Sequence, residues 1–136
     1  MNHEDHKEHK AIPPALDATS KILIDAALRV HRTLGPGLLE SAYEHCLAYE
    51  LQTRDIRVER QVAVPITYND TKLDAGFRMD LLVDKTIVVE IKSIEALTRV
   101  HEAQILTYLK LSKLRLGFLM NFNVLLLKTG TKRFVL

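Results

Sequence analysis

Asp80 lies inside an otherwise apolar run, Arg78-Met79-Asp80-Leu81-Leu82-Val83, where an unpaired carboxylate is costly and something must compensate it. A second run, Ile87-Val88-Val89-Glu90-Ile91-Lys92, carries the next acid. Strand side chains alternate between faces, so Glu90 and Lys92 share one face and Ile91 turns away. The strands expected here span Phe77 to Val83 and Thr86 to Ile91, and Asp84-Lys85 between them is short enough for a β-hairpin, which brings Asp80 near Glu90. Two carboxylates repel unless a cation sits between them. A hard ion such as Mg²⁺ suits the pair, because it takes one or two carboxylates at ~2.0–2.1 Å and leaves other positions to water and a phosphate oxygen. The lysine can then orient or deprotonate the attacking water. The competing reading has Asp80 and Glu90 paired with Arg78 and Lys92 across the hairpin, as in many half-exposed strands. The residues alone leave both open.

Other polar groups could serve the same chemistry. After the hairpin, His101, Gln104 and Tyr108 fall at i, i+3 and i+7 of a helical pattern, a spacing that aligns them on one face within reach of a phosphate. A solvated face with an amphipathic tyrosine explains them equally well. Glu40 stands in the first turn of a helix after a glycine break, where the helix dipole favours an acid in any case. Cys46 is the only cysteine, which rules out an intrachain disulfide; its apolar helical neighbours favour a structural thiol over a catalytic one.

The elements that must hold these groups follow from periodicity. Residues 1–14 lack apolar periodicity and read as a flexible tail; their His3, His6 and His9 could bind a metal, but suit a solvated extension better. Residues 15–136 are expected to form one domain. A first helix is expected from an N-cap at Asp17, through Ile22, Ala26, Ala27 and Val30, to the break at Gly35-Pro36-Gly37. A second runs from about Leu38 to Arg54 with a stripe of Leu39, Tyr43, Leu47 and Leu51, leaving Glu40, Glu44 and His45 off it. Period-two alternation through Val58, Val62, Val64 and Ile66 predicts a strand ending in a turn at Asn69-Asp70. After the hairpin comes a helix over 97–112 with Val100, Ala103, Leu106 and Leu109 as its apolar stripe. Strands follow over Leu114 to Phe122 and Val124 to Leu127, and Gly130 marks a last turn. The order predicts an α/β fold, a mixed central sheet with helices packed on it.

Bulk properties narrow the class without naming a function. No apolar run approaches the roughly 20 residues that cross a bilayer, and the N-terminus is polar, so no membrane partner is expected and the expected location is cytoplasmic. The formal charge of +2 permits nucleic-acid binding without announcing it, since a local basic face matters more than the total.

Together these pieces resemble the PD-(D/E)XK nuclease superfamily, and within it the small GxxExxY proteins, from about Ser20 onward. Gly37, Glu40 and Tyr43 match the naming motif, Asp80 the metal-binding aspartate, Glu90-Ile91-Lys92 the ExK step, and Gln104 with Tyr108 the QxxxY helix motif of RecB-like nucleases. Met79 replaces the proline of the superfamily's name, and Asn123 stands where a glycine is expected after Asn121-Phe122. The resemblance implies a restriction-endonuclease-like core and a metal-dependent nuclease acting on nucleic acid, with DNA favoured. It implies that Asp80, Glu90 and the backbone carbonyl of Ile91 bind Mg²⁺ or Mn²⁺, that Glu40 holds a water of that ion or a second ion, and that Lys92 positions the nucleophilic water. Gln104 and Tyr108 would orient the phosphate or the ligands. Arg78, Arg99, Lys110, Lys113 and Arg115 are candidates for backbone contacts, although solvated surface charge accounts for most of them equally well. A homodimer is the expected assembly where both strands of a duplex are cut. The rival is a catalytically silent nuclease-fold module that binds nucleic acid or a protein partner.

Overall fold

The computed structural model describes residues 11–136, so His3, His6 and His9 and most of the expected tail lie outside the described residues. The first helix, α1 (Pro14–Leu34), begins earlier than the sequence suggests. Proline suits a first helical turn, because its fixed φ is already helical and its missing N–H would have no partner there. Asp17 is therefore inside the first turn rather than at the cap, and pairs with Lys21 at 3.3 Å. The second helix, α2 (Glu40–Thr53), buries Tyr43, Leu47 and Leu51 as expected. Leu39 precedes the helix and is 77% exposed, so it does not belong to that stripe.

The strands are β1 (Val58–Ala63), β2 (Ile66–Tyr68), β3 (Thr71–Leu73), β4 (Arg78–Val83), β5 (Ile87–Lys92), β6 (Leu116–Asn121) and β7 (Thr131–Val135). Helix α3 (Arg99–Ser112) connects β5 to β6. Pro65 interrupts the expected long strand, since it has no N–H to give a ladder. Beyond it β2 and β3 form a separate hairpin around Asn69-Asp70, whose φ values of 51° and 61° are the left-handed pair a two-residue hairpin turn requires. The other strands form one sheet in the order β1-β4-β5-β6-β7, parallel only between β5 and β6. The turn between β4 and β5 likewise places Asp84 and Lys85 at φ 53° and 58°.

Two cores cover the two faces of this sheet. On one, α1 and α2 pack Leu23, Ala27, Tyr43 and Leu47 against Leu81, Val89, Ile91 and Phe118. On the other, Ile105, Tyr108 and Leu109 of α3 meet Met79, Val88, Leu119 and Phe134. Of the stripe read for α3, Leu106 and Leu109 pack on this core as expected, but Val100 is 76% exposed and Ala103 is exposed, while Tyr108, assigned to the polar face, is buried against the sheet. The chain satisfies a sheet that carries its own polar groups, and that requirement outweighs helical hydrophobicity.

The strand expected over Val124 to Leu127 does not form. The carbonyls of Phe122 and Val124 lie 3.1 and 2.8 Å from His31 Nε2, which takes them out of any ladder, and a 3₁₀ turn follows at Leu127–Gly130. Leu125 is left 87% exposed. At Gly130 a Cβ would collide with the carbonyl oxygen of Asn121 and crowd Val124, so close approach selects the glycine. Gly130→Ala is expected to destabilise the protein by about 1–3 kcal/mol. Urea unfolding followed by circular dichroism should show a lower midpoint with an unchanged slope.

Candidate active site

The β4–β5 ladder runs from Val83↔Ile87 to Leu81↔Val89 and then stops. At the next position side chains take over from the ladder. The Asp80 N–H donates to Glu90 Oε2 at 2.9 Å, and the Ile91 N–H donates to Asp80 Oδ2 at 2.7 Å. Each acid thus satisfies a backbone donor on the opposite strand, and the strands part beyond them. Meanwhile β5 keeps pairing with β6 as far as Lys92↔Asn121, and β4 with β1 as far as Arg78↔Ala63.

Side-chain alternation also breaks here. Leu81 and Val83 pack toward α1 and α2, yet Met79 joins the α3-side core; on β1, Val58 packs toward α1 and α2 while Val62 packs with the α3 side. Between Val58 and Val62 stands Gln61 at φ 54°, a left-handed conformation uncommon for a residue other than glycine. Its Nε2 donates to Glu44 Oε1 at 2.8 Å and approaches Asp80 Oδ1 at 3.4 Å. Glu44 is buried on α2 and also receives Arg60, at 2.9 Å. The kink therefore aims an amide from β1 between an α2 glutamate and Asp80.

Glu40 comes to the same place. Tyr43 Oη donates to the Gly35 carbonyl at 2.6 Å and accepts the Leu38 N–H at 3.1 Å, and its ring stacks on Phe122 with centroids 4.6 Å apart. This pins the loop before α2, where Gly37 takes φ 99°. Glu40 then reaches the Ser93 N–H at 3.4 Å, and the Ser93 hydroxyl donates to the Leu38 carbonyl at 2.5 Å. Glu40, Glu44, Gln61, Asp80 and Ser93 line one open cleft of about 510 Å³. Asn121 secures the segment that follows Ser93: its side chain accepts the Ile94 and Asn123 N–H groups and donates to the Ile94 carbonyl. Asn123 has no positive φ, so the glycine expected there is not required.

Across β5, on the α3 side, Lys92 Nζ approaches Gln104 Oε1 at 3.5 Å, and Gln104 Nε2 donates to Tyr108 Oη at 3.1 Å. His101 does not join this row; its Nδ1 accepts the Thr98 N–H at 2.9 Å and closes the helix cap. Arg78 turns to Asp74 at 3.2 Å rather than to either acid. Arg99 opens α3, exposed, on the side of the helix end that follows Lys92. Lys110 and Lys113 close α3, and Arg115 precedes Leu116, which pairs with Ile87. That pairing puts Lys113 and Arg115 at the end of β5 away from Glu90 and Lys92, roughly 15 Å along the strand. Arg115 instead donates to the Ala11 carbonyl at 2.7 Å.

The acids carry an electrostatic load that Lys92 and backbone N–H groups relieve only in part. Glu90 is only 3% exposed, and burial, followed by the neighbouring Asp80, pushes its carboxyl up to about 8. Burial also raises Asp80, opposed by the Ile91 N–H and Lys92 and assisted by Glu44. Tyr108 is raised too, by burial and then by Glu90. Among the described residues no salt bridge reaches Asp80 or Glu90, so the ion-paired alternative is not what the geometry contains. Among the described residues no three His, Cys, Asp or Glu side chains gather as a metal cage. The donor set is instead two adjacent carboxylates whose one nearby cation, Lys92, acts at a distance and forms no salt bridge with them, which fits a hard divalent ion that keeps several waters. The sequence reading missed Glu44 and Gln61. Glu44 was within reach, one helical turn after Glu40; nothing in the sequence marks the kink at Gln61.

A family model described as the PD-(D/E)XK nuclease superfamily matches residues 17–134. No curated protein and no solved structure matches the chain. Among the described residues no helix is long and apolar enough to cross a membrane.

The raised Glu90 carboxyl makes stability depend on pH. A folded-state value above the unfolded one favours the protonated form, so its stabilisation is complete below about 4.5 and is lost as pH rises through about 8. Glu90→Gln, which stays neutral, should therefore raise the melting temperature of the metal-free protein at pH 9 by roughly 5 °C or more. At pH 5 the difference should nearly vanish. Differential scanning calorimetry in EDTA at the two pH values checks this.

Proposed function

The chain belongs to the PD-(D/E)XK nuclease superfamily, and from that premise we propose a metal-dependent nuclease that hydrolyses phosphodiester bonds, with DNA the expected polymer. Superfamily members generally use divalent metals. The observation that carries the reading is the reciprocal Asp80–Glu90 arrangement at the parting of β4 and β5, with Glu90 buried, Asp80 half-buried at the cleft, and no salt bridge to either among the described residues. The backbone N–H groups that the acids accept offset only part of the cost of placing two carboxylates side by side, and a divalent cation between them would offset the rest.

Asp80, Glu90 and the Ile91 carbonyl would hold Mg²⁺ or Mn²⁺, with Glu40 available from the facing cleft. When bound, the ion lowers the pKa of water and neutralises charge on the phosphate and the leaving oxygen. Lys92, on the face of β5 that carries Glu90, orients the attacking water and stabilises negative charge as the phosphorus gains its fifth oxygen. Gln104 holds Lys92 in place through its side-chain oxygen and is itself held by Tyr108. Gln61 and Glu44 position the Asp80 carboxylate from the side. Of the basic candidates, Arg99 lies best for a phosphate of the same strand. Lys113 and Arg115 suit only a substrate that extends along the whole sheet.

Asp80→Ala should lose both Mn²⁺ binding and cleavage. Lys92→Ala should retain Mn²⁺ binding while cleavage falls by at least about a hundredfold, the scale of removing one charge-stabilising group. Calorimetric titration with Mn²⁺, paired with cleavage of labelled DNA and RNA in Mg²⁺, Mn²⁺ or EDTA, tests both. Unchanged Mn²⁺ binding in Asp80→Ala overturns the ligand assignment. Nucleic-acid binding that persists in EDTA, with no cleavage in either metal, would favour a silent binding module.

A further inference from the structure

Beside the catalytic row an apolar groove runs along the outer side of α3. Its volume is about 290 Å³, and its lining includes Ile66, Phe77, Val100, Ala103, Gln104 and Tyr108. One of these, Gln104, also approaches Lys92 and is itself bonded to Tyr108, so the groove lies on the other side of the side chain that touches the catalytic lysine. Phe77 is 41% exposed, three residues before Asp80, and its ring meets Tyr108 edge-tilted at 6.3 Å and 58°. Its backbone is fixed, because its carbonyl accepts the Val64 N–H at 2.9 Å. Val100, also on the lining, is 76% exposed and so presents apolar surface to whatever enters the groove.

The geometry points to this groove as a subsite for an unpaired nucleobase of the nucleotide next to the scissile phosphate, with Phe77 as its stacking platform. The inference rests on the nuclease reading for the phosphate's position and adds the substrate class, single-stranded or frayed nucleic acid. A nucleotide ties its base to its phosphate by a short covalent span, so a phosphate held by Lys92 and the acids places a base beside Gln104. The surface it meets there is apolar and aromatic, which suits a π-face of any sequence. Gln104 and Thr107 on the lining can meet ring nitrogens and carbonyls at the edge. In an intact duplex each base is already stacked and paired, and offers no face to Phe77. The size also decides: a cavity at the bottom of the ligand-pocket range holds one heterocycle, not a groove-spanning duplex.

The test uses the full wild-type chain with Ca²⁺ in place of Mg²⁺, a larger ion of looser geometry chosen to permit binding without cleavage, and a fluorescein-labelled ten-nucleotide oligothymidine, against a hairpin duplex of equal charge. The single strand should bind more tightly. Phe77→Ala should weaken single-strand binding roughly tenfold or more, the scale of one lost base stack, and leave duplex binding unchanged. Phe77→Tyr should restore it. Val100→Asp, at an exposed position that does not bear on folding, should weaken single-strand binding as well. Replacing each thymine in turn with an abasic residue should reproduce the Phe77→Ala loss at one position and add nothing to it in that variant. Equal binding by Phe77→Ala and its parent, or no single-strand preference, overturns the subsite. Metal-dependent cutting of duplex by the wild type in that case leaves the nuclease reading intact. Phe77-dependent binding without any metal-dependent cutting does the reverse. If the groove is covered by a second copy, the protein sediments as a dimer that Val100→Asp dissociates, and the nucleobase inference fails.

Discussion

Two neighbouring carboxylates, Glu90 buried and Asp80 half-buried at an open cleft, set the terms for the surrounding structure. Asp80 and Glu90 stand opposite each other where the β4–β5 ladder ends, and each accepts a backbone N–H from the other strand. Those bonds explain how the acids can be built in without a cation, since they satisfy donors that the parting strands would leave unpaired. They do not remove the repulsion, which burial amplifies. The apolar cores on both faces offset that cost, and the parallel β5–β6 pairing keeps β5 straight while β4 turns away.

Most of what surrounds the pair positions it from one of three directions. From β1, the left-handed Gln61 reaches across to Asp80 and to Glu44. From α2, Tyr43 fixes the preceding loop so that Glu40 faces the end of β5. From α3, Gln104 and Tyr108 brace Lys92. The Gly37, Glu40 and Tyr43 motif is thereby given separate tasks: the glycine allows the turn, the tyrosine locks it, and the glutamate is what the turn delivers.

Where period and turn chemistry act locally, the sequence was a good guide. The hairpin that joins Asp80 to Glu90, the shared face of Glu90 and Lys92, and the Tyr43-Leu47-Leu51 stripe could all be read from spacing. Failures occurred where a distant group decided the outcome. The Val124 to Leu127 run has strand-like residues, but His31, far back on α1, draws in its carbonyls. The α3 stripe holds at Leu106 and Leu109 but not at its start, where the face that buries Ile105 and Tyr108 leaves Val100 and Ala103 outside. Gln61 could not be found at all, because alternation gives no sign of a residue that leaves the β conformation while the register on either side is kept.

The central claim is that the Asp80–Glu90 pair is held ready for a divalent cation, and proton release on binding tests it most directly. Titrating Mn²⁺ at pH 7 by calorimetry, in buffers of different ionisation enthalpy, counts the protons displaced. A carboxyl raised to about 8 is largely protonated at that pH, so binding should release about one proton per ion, and less at pH 9. Binding without proton release at pH 7, or no binding, would contradict the account.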